Sequence, residues 1–378
     1  MRLGVAQAVV GPAIIPGDVV VAGGRIAALG ATPAGASGTA APGFVDLQVN
    51  GFGGVDFLTS DPAGWRRAAR AIAATGVTAY QPTFVTAPPE DLRRALEVAA
   101  AVTDPPEALP RLLGVHLEGP FLSPRWPGAH PPQHLRPPDL ALVEELRAAG
   151  PVSHVTLAPE LPGALELIAA LAARGVTVAI GHTDAGAATC RAAFDRGARA
   201  LTHVHNAHRR FAARDPGPAG AALAHPAVTV TAIVDGHHLA PETAAIAWRA
   251  AGRRFALVTD AIAAARPATG GGTSVRTGPR ASAIAGRMVA VGPAGDARLP
   301  DGRLAGSTLT MDAAVRGLCA LGATLPEAVH AAARAPALLA GRPELGLLAV
   351  GAPADVVVLD DALSVRRVLL SGREAAAG

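Results

Sequence analysis

Short apolar runs that end in polar or glycine-rich segments alternate along the chain with longer alanine-, leucine- and arginine-rich stretches of helical periodicity. Eight runs have the length of a buried strand. Because strands that alternate with helices form βαβ units, the pattern predicts an α/β fold with a parallel sheet, and eight units close into a (β/α)8 TIM barrel. The runs cover residues 43–51, 77–84, 112–120, 154–160, 176–183, 199–206, 228–238 and 255–261.

The two ends of the chain have a different pattern. Residues 1–41 and 345–378 contain short β-like pieces separated by glycine, without helical stretches between them. We therefore predict that both ends form one small β-sandwich domain, which packs against a barrel made of residues 42–344. The glycine-rich stretch 265–286 is irregular and is the segment that we expect to be disordered.

Composition excludes several classes of protein. Of 378 residues, 50% are hydrophobic and 17% charged, which suits a large buried core, and no apolar run reaches the roughly 18 residues of a membrane span. The net charge is +3, but the chain has no lysine and its arginines are scattered, so we expect no nucleic-acid or membrane partner. The two distant cysteines, Cys190 and Cys319, predict neither disulfides nor a cysteine metal site, which fits the cytoplasm.

Polar side chains lie where predicted strands end. In a parallel barrel, catalytic residues come from the carboxyl ends of the strands, so Glu118, His182 and His203 should meet at one mouth. One carboxylate and two imidazoles suit Zn²⁺ or another divalent first-row metal and leave coordination positions for water. Each histidine taken alone fits a hydrogen-bonded loop residue better, and only their joint placement favours metal binding.

Asp260 ends the eighth predicted strand. Beside a metal-activated water, a carboxylate can act first as general base and then as general acid. The alternative is a helix N-cap, since an alanine-rich run follows it. The barrel assignment favours catalysis.

A group of motifs resembles one family closely. "PGFVDLQVNGFGG", "HLEGPF", "TLAPE", "IGHT", "THVHNA", "DGHH", "VTDA" and "LAGSTLTMDAAV" occur in the order typical of N-acetylglucosamine-6-phosphate deacetylases of the amidohydrolase superfamily. The resemblance covers nearly the whole chain. It implies a metal-dependent barrel with a β-sandwich that hydrolyses N-acetylglucosamine 6-phosphate to glucosamine 6-phosphate and acetate, in amino-sugar catabolism or cell-wall recycling. It also implies a homodimer.

The resemblance assigns roles to residues at matching motifs. It implies that Glu118, His182 and His203 bind the metal, that Asp260 is the catalytic acid and base, and that His130 polarises the acetyl carbonyl. Arg214, His238 and the backbone of Asn206 and Ala207 would hold the phosphate, and Arg214 can serve the neighbouring subunit. The substrate contacts implied are Ala129, His130, Asn206, Ala207, Arg214, His238, Ala305, Gly306 and Ser307.

The first predicted strand bears on the number of metal ions. Gln48 and Asn50 stand where many amidohydrolases have a His-x-His pair, and neutral amides are poor zinc ligands. A carbamylated lysine that bridges two metals is impossible without lysine. We therefore predict one divalent ion per subunit, with Zn²⁺ first and Fe²⁺, Mn²⁺ or Co²⁺ also compatible, and a supporting role for Gln48 and Asn50, which would hydrogen-bond metal-bound water.

Three other functions stay open. An N-acetylgalactosamine-6-phosphate deacetylase would use the same ligand set. A mononuclear deaminase usually keeps the His-x-His pair that this chain lacks. A catalytically silent sugar-phosphate binding protein would have no need of Glu118, His182, His203 and Asp260 together. In addition, His208 stands in "NAHRRF" where relatives usually have methionine, so the loop that meets the sugar is expected to differ.

Overall fold

A computed structural model describes residues 1–103, 107–266 and 280–375 of the chain. Its centre is a barrel of eight parallel strands, each hydrogen-bonded to the next in chain order. Each of the eight runs predicted from the sequence contributes one of them. The barrel strands are Phe44–Val49, Val77–Val85, Val115–Glu118, Val152–Leu157, Thr177–Ile180, Ala200–Leu201, Thr229–Ala232 and Phe255–Leu257.

The barrel closes where the segment after the eighth strand meets the first strand. The amide of Asp260 donates to the carbonyl of Gln48 at 2.8 Å, and the amide of Asn50 donates to the carbonyl of Ala261 at 2.8 Å. Asp46 adds a side-chain link, because its Oδ2 accepts the hydroxyl of Thr259 at 2.5 Å. This seam brings the first and eighth strands together.

Helices cover the outside of the barrel. In the first, Pro62–Ala73, the Asp61 carboxylate accepts the amide of Gly64 and caps the N-terminus. Trp65, Ala69 and Ile72 recur at helical spacing and are buried against the strands. The α-helices are Pro62–Ala73, Pro89–Ala101, Leu140–Ala149, Ala164–Ala173, Ala187–Asp195, Gly217–Ala224, Pro241–Ala251, Met311–Ala320, Leu325–Val329 and Ala335–Leu339, with a π-helical turn at His330–Arg334 and 3-10 turns at Pro132–His134 and Gly252–Arg254.

The two chain ends form a small β domain, as predicted. One sheet joins strands of both ends, and a hairpin from the N-terminal part packs on it around a separate apolar core that includes Val5, Val19 and Leu369. The boundaries at residues 41 and 345 stay a prediction. In spatial order the sheet contains Ala13–Pro16, Val5–Val10, Ser37–Pro42, Val356–Leu359, Val365–Leu370 and Arg373–Glu374, and the hairpin contains Asp18–Ala22 and Arg25–Ala31.

A third small sheet is inserted between the eighth strand and the helices that follow. Its strands are Arg280–Ile284, Arg287–Val291 and Ala297–Arg298, and we call it the insert sheet. Part of the stretch predicted to be disordered, residues 280–286, is therefore ordered, because Ile284 is buried in an apolar cluster at the barrel mouth. Residues 267–279 of that stretch lie outside the described residues. A short hairpin, Gly51–Phe52 with Val55–Asp56, lies at the same mouth.

Among the described residues, no helix has both the length and the apolar character that a bilayer crossing requires. Cys190 is buried and Cys319 is partly buried, and both are free thiols.

Candidate active site

The polar residues predicted at the strand ends do meet at one mouth of the barrel. Glu118 is the last residue of the third strand, whereas His182, His203 and Asp260 each follow a strand end by two or three residues. The last three have positive φ angles of 47°, 31° and 48°. A non-glycine residue in this conformation costs about 1–3 kcal/mol, and such residues cluster at functional sites. The backbone therefore turns sharply at each strand end.

Three of these side chains form a compact ligand set. Oε1 of Glu118 lies 3.0 Å from Nε2 of His203 and 3.3 Å from Nε2 of His182, and the two Nε2 atoms are 3.1 Å apart. Ligand atoms that bind one zinc ion tetrahedrally at 2.0–2.1 Å are about 3.3 Å from each other. The three measured edges match that spacing, so this set can hold one divalent ion.

His130 also lies close to this set. Its Nε2 is 3.6 Å from Oε2 of Glu118, and ligand atoms of Glu118, His130 and His182 lie within 4.8 Å of one another. Hydrogen bonds show that His130 and His182 carry the ring proton on different nitrogens. The backbone amide of Thr86 donates to Nδ1 of His130 at 3.1 Å, so the ring proton is on Nε2. His130 therefore presents an N–H donor.

His182 has the opposite tautomer. Its Nδ1 lies 2.9 Å from the carbonyl oxygen of Trp126, which can only accept. The proton is therefore on Nδ1, and Nε2 carries the lone pair that a metal requires. Two lone pairs, on Nε2 of His182 and Oε1 of Glu118, face each other at 3.3 Å. A bound cation would remove this repulsion. His130 instead presents an N–H to the same place, because its Nδ1 accepts the Thr86 amide, which favours Glu118, His182 and His203 over a set that contains His130.

Burial and mutual charge set the protonation states of these groups. Burial raises the pKa of Glu118, but the neighbouring imidazoles of His130, His182 and His203 outweigh it and hold that pKa well below its usual range. Burial lowers the pKa of His182 to about 4. An ionised carboxylate and a neutral imidazole are the forms that bind metals. The pKa of His203 is raised, because Glu118 and Asp260 outweigh burial.

Asp260 is held beside this set by two amides of the first strand. Asn50 Nδ2 donates to Oδ1 of Asp260 at 2.7 Å, and Gln48 Nε2 donates to the same oxygen at 3.3 Å and to Oε1 of Glu118 at 3.0 Å. Burial and then the Glu118 charge raise the pKa of Asp260 to about 7. Both amides bind Oδ1, so Oδ2 is the oxygen left for proton transfer.

The site opens into a cavity of about 440 Å³, a size typical of small-molecule sites. Ala305 and Ser307, which were predicted to contact substrate, are buried and do not line the cavity. The hydroxyl of Ser307 donates to the carbonyl of Thr259 at 2.5 Å. Between Ala305 and Ser307, Gly306 has φ +64°, and a Cβ there would approach the Asp260 carbonyl to 2.8 Å. Arg214 is exposed and does not line the cavity. The predicted residues that line it are Glu118, Ala129, His130, His182, His203, Asn206, Ala207, His238, Asp260 and Gly306.

Sequence reasoning missed the residues that orient the histidines. Thr86 contacts His130 through both its amide and its hydroxyl, the latter at 2.9 Å. Asp235 holds His238, because its Oδ2 accepts from Nδ1 of that ring at 2.7 Å. The "DGHH" motif was a signal for Asp235, whereas no local pattern marks Thr86, which lies 44 residues from its partner.

Comparison with known proteins gives a consistent result. Residues 39–375 match the amidohydrolase family. Human N-acetylglucosamine-6-phosphate deacetylase is 40% identical over 347 residues, which cover 88% of this chain and 82% of the human protein. N-acetylgalactosamine-6-phosphate deacetylase of Escherichia coli O157:H7 is 36% identical over 88% of this chain and 86% of that protein.

Solved structures agree with this result. N-acetyl-D-glucosamine-6-phosphate deacetylase from Mycobacterium smegmatis is 37% identical, covers all of both chains and has a TM-score of 0.89. A variant of the enzyme from the same organism, in complex with N-acetyl-D-glucosamine-6-phosphate, has a TM-score of 0.90 at 36% identity over 99% of this chain and 98% of that chain. The comparisons confirm the resemblance seen in the motifs, and the structural match confirms the predicted fold.

Proposed function

The chain belongs to the amidohydrolase family, and from this premise we propose that it hydrolyses the N-acetyl group of N-acetyl-D-glucosamine 6-phosphate to D-glucosamine 6-phosphate and acetate. One observation carries the proposal. A metal-ligand set, a buried carboxylate of raised pKa and an N–H donor converge on one cavity. The relatives that share this architecture at 36–40% identity are named as deacetylases of such sugar phosphates.

The proposed cofactor is one divalent ion, held by Glu118, His182 and His203. Zn²⁺ suits one carboxylate and two imidazoles best, and Fe²⁺, Mn²⁺ and Co²⁺ accept the same donors. When bound, the ion supplies Lewis acidity to the acetyl carbonyl and to the attacking water. Asn50 can help to hold the attacking water. Its Oδ1 is buried and has no partner among the described residues, so it can accept a hydrogen bond from that water.

The chain's own residues account for the proton transfers. Oδ2 of Asp260 takes a proton from water while the water oxygen bonds to the acetyl carbon. The Nε2–H of His130 donates to the former carbonyl oxygen, on which negative charge develops. Asp260 then gives the proton to the sugar nitrogen as the carbon–nitrogen bond breaks. Acetate and the free amine are the products, and Asp260 returns to its ionised form.

The phosphate is the second part of the proposed recognition. His238, Asn206 and Ala207 line the cavity and are the proposed contacts within the chain. Arg214 is exposed outside that cavity, so in this proposal it reaches the site of the neighbouring subunit of a homodimer. A guanidinium suits this role because it stays charged and binds phosphate in a planar fork.

Acetate release by purified, metal-assayed protein tests the proposed function. We expect release from N-acetylglucosamine 6-phosphate, little from unphosphorylated N-acetylglucosamine, and about one metal ion per chain. An active Arg214→Ala variant that prefers the phosphorylated sugar as strongly as the wild type would remove Arg214 from the proposal. Metal-loaded protein that releases no acetate from either sugar would overturn the assigned substrate.

The galactose epimer is the second candidate substrate. The Escherichia coli relative named for N-acetylgalactosamine 6-phosphate is 36% identical, the same as the Vibrio furnissii relative named for the glucose epimer. The two sugars differ only in the configuration of the 4-hydroxyl, whereas the ligand set is assigned to the acetyl group, so it does not distinguish them. Parallel kcat/KM values on both phosphorylated sugars decide between them.

A further inference from the structure

Arg287 of the insert sheet and Arg303, five residues after its last strand, bind the backbone of the turn formed by residues 127–130, which we call the 127–130 turn. Arg303 Nη1 donates to the carbonyl of Gly128 at 2.7 Å, and Arg287 Nη1 donates to the carbonyl of Ala129 at 2.7 Å. The amide of His130 closes the turn on the carbonyl of Pro127 at 2.9 Å. The carbonyls of the two central residues are thus bound from outside the turn, by residues about 160–175 positions away.

The inner side of the same turn contacts the catalytic groups. His130 is its last residue, and Nε2 of that ring faces Glu118. Trp126 immediately precedes the turn, and its carbonyl accepts the Nδ1 proton of His182. A Cβ at Gly128 would approach Cε1 of His182 to 2.8 Å, so the backbone lies directly against that ring. A displacement of the turn would move both histidines.

We propose that Arg287 and Arg303 are positioning residues for the reaction, which hold the 127–130 turn against His182 and keep His130 aimed at the substrate carbonyl. This role rests on the proposed function. The insert sheet is anchored for such a role, because Ile284, Val289 and Leu299 pack with Val85 and Ile262 of the barrel mouth. Arg287 lies in this sheet, and the carbonyl of Arg303 accepts the amide of Leu299 at 2.8 Å, so both arginines hold the turn at a fixed position relative to the sheet.

Two consequences follow from this geometry. A loosened turn no longer fixes the tautomer and position of His182, so the metal binds more weakly. His130 is also displaced, and a misplacement of about 1 Å in a catalytic group can cost about a hundredfold in rate. Neither effect requires either arginine to touch the substrate.

The test compares Arg287→Met, Arg303→Met and the double variant with Arg298→Met. Methionine keeps an apolar stem and removes the donor. Arg298 is the matched control, because it lies in the insert sheet but, among the described residues, its side chain donates to Asp296 and to the carbonyl of Gly302, both at 2.8 Å, and not to the turn. Zinc affinity is measured by chelator competition, and kcat and KM are measured on N-acetylglucosamine 6-phosphate.

In the double variant we expect zinc affinity to fall about tenfold or more and kcat to fall about tenfold to a hundredfold, with KM changed less than kcat. Arg298→Met should stay within twofold of the wild type in all three. Arg287→Lys combined with Arg303→Lys should recover much of the loss, since each carbonyl accepts one N–H. If the double variant does not fold, the single and lysine variants decide by the same comparison.

Three results would overturn the inference. The first is zinc affinity and kcat within twofold of the wild type. The second is a raised KM at unchanged kcat and zinc affinity, which would mean that Arg303, a cavity residue, binds substrate directly. The third is an equal loss in Arg298→Met. Wild-type protein that binds zinc but releases no acetate would contradict the proposed function alone, and zinc affinity would still test the two arginines.

Discussion

Backbone groups decide which nitrogen of each histidine is available at this site. The Thr86 amide can only donate and the Trp126 carbonyl can only accept, so His130 offers a proton and His182 offers a lone pair. Both rings lie beside Glu118, and distance alone allows either to be a metal ligand. The hydrogen bonds therefore separate a proposed metal ligand from a proposed donor to the substrate, a distinction that residue type does not make.

A pair of substitutions tests that separation. His130→Leu should retain the metal and lower kcat about a hundredfold to a thousandfold, the cost of losing one donor to a developing oxyanion. His203→Gln should lose most of the metal at a free zinc concentration that saturates the wild type. Metal content and single-turnover acetate release are the measurements.

The opposite pattern would reverse the assignment. Metal loss in the His130 variant with retention in the His203 variant would make Glu118, His130 and His182 the ligand set, which the distances also permit.

Asp260→Asn tests the proton-transfer role. The amide keeps the shape of the side chain and an oxygen for Gln48 and Asn50, but it cannot carry the proton. General acid–base catalysis contributes about a hundredfold to ten-thousandfold to the rate. We therefore expect kcat to fall at least about a hundredfold while metal content stays at the wild-type level. Turnover within tenfold of the wild type would refute the assigned role.

At the residue scale, a site residue can be predicted from the sequence when its side chain suits the chemistry and it also stands at the end of a predicted strand. Glu118, His182, His203 and Asp260 could be predicted to converge because each follows an apolar strand in a barrel with a fixed polarity. Arg287 could not, because its partner is a backbone carbonyl 158 positions away and a carbonyl has no sequence signature.

Strand ends are the elements that build the site. His182, His203 and Asp260 leave their strands with positive φ, so their side chains turn into the mouth instead of continuing the alternation of the strand. The 127–130 turn then packs on this ring of residues through Gly128, whose φ of +54° and contact with His182 both favour glycine.

Gly128→Ala isolates that contact when it is compared with Gly23→Ala. Both glycines have nearly the same φ, +54° and +56°, so alanine should cost each a similar backbone strain of about 1–2 kcal/mol. No described atom lies within 4 Å of a Cβ at Gly23, whereas at Gly128 the Cβ meets His182 at 2.8 Å. We expect both variants to lose similar stability and only Gly128→Ala to lose zinc affinity and kcat.

Thermal unfolding of the metal-free proteins, chelator competition and steady-state kinetics make the comparison. Equal zinc affinity in the two variants would show that the turn can move away from His182 without effect on the metal site.

At the element scale, the barrel strands were predictable and the insert sheet was not. Strands such as Val77–Val85 are buried along their whole length and appear as apolar runs. In the insert sheet, glycine-rich sequence precedes Arg280–Ile284, and the burial of Ile284 depends on Val85 and Ile262 in distant segments. Local pattern therefore indicated irregular chain where tertiary packing forms a strand.

The whole molecule depends on the seam between the first and eighth strands, which also carries the active site. Gln48, Asn50 and Asp260 contribute backbone hydrogen bonds to the closure and side chains to the site. Closing the barrel therefore sets the distance between Asp260 and its two amide donors. Below them in the seam lies Asp46, a fully buried carboxyl group that bonds to Thr259.

Asp46 gives the stability of the fold a pH dependence of known sign. Burial raises its pKa to about 6, despite hydrogen bonds from Thr259 and Gln48 that lower it. The folded chain therefore binds a proton at this group more readily than the unfolded chain, whose pKa is near 3.8. Ionisation of Asp46 therefore lowers the free energy of unfolding, fully above about pH 6 and not at all below about pH 4. The difference between the two pKa values corresponds to about 3 kcal/mol.

Asp46→Asn removes this titration and isolates its effect. Asparagine cannot ionise and changes the hydrogen bond with Thr259 by an amount that does not vary with pH, so subtracting the two free energies of unfolding cancels every other titrating group. We expect the wild type to gain up to about 3 kcal/mol relative to Asp46→Asn as pH falls from 8 to 4, measured by urea unfolding at several pH values. A flat difference would mean that Asp46 titrates normally in the fold, and a difference that grows toward high pH would mean that the carboxylate, rather than the acid, stabilises the seam.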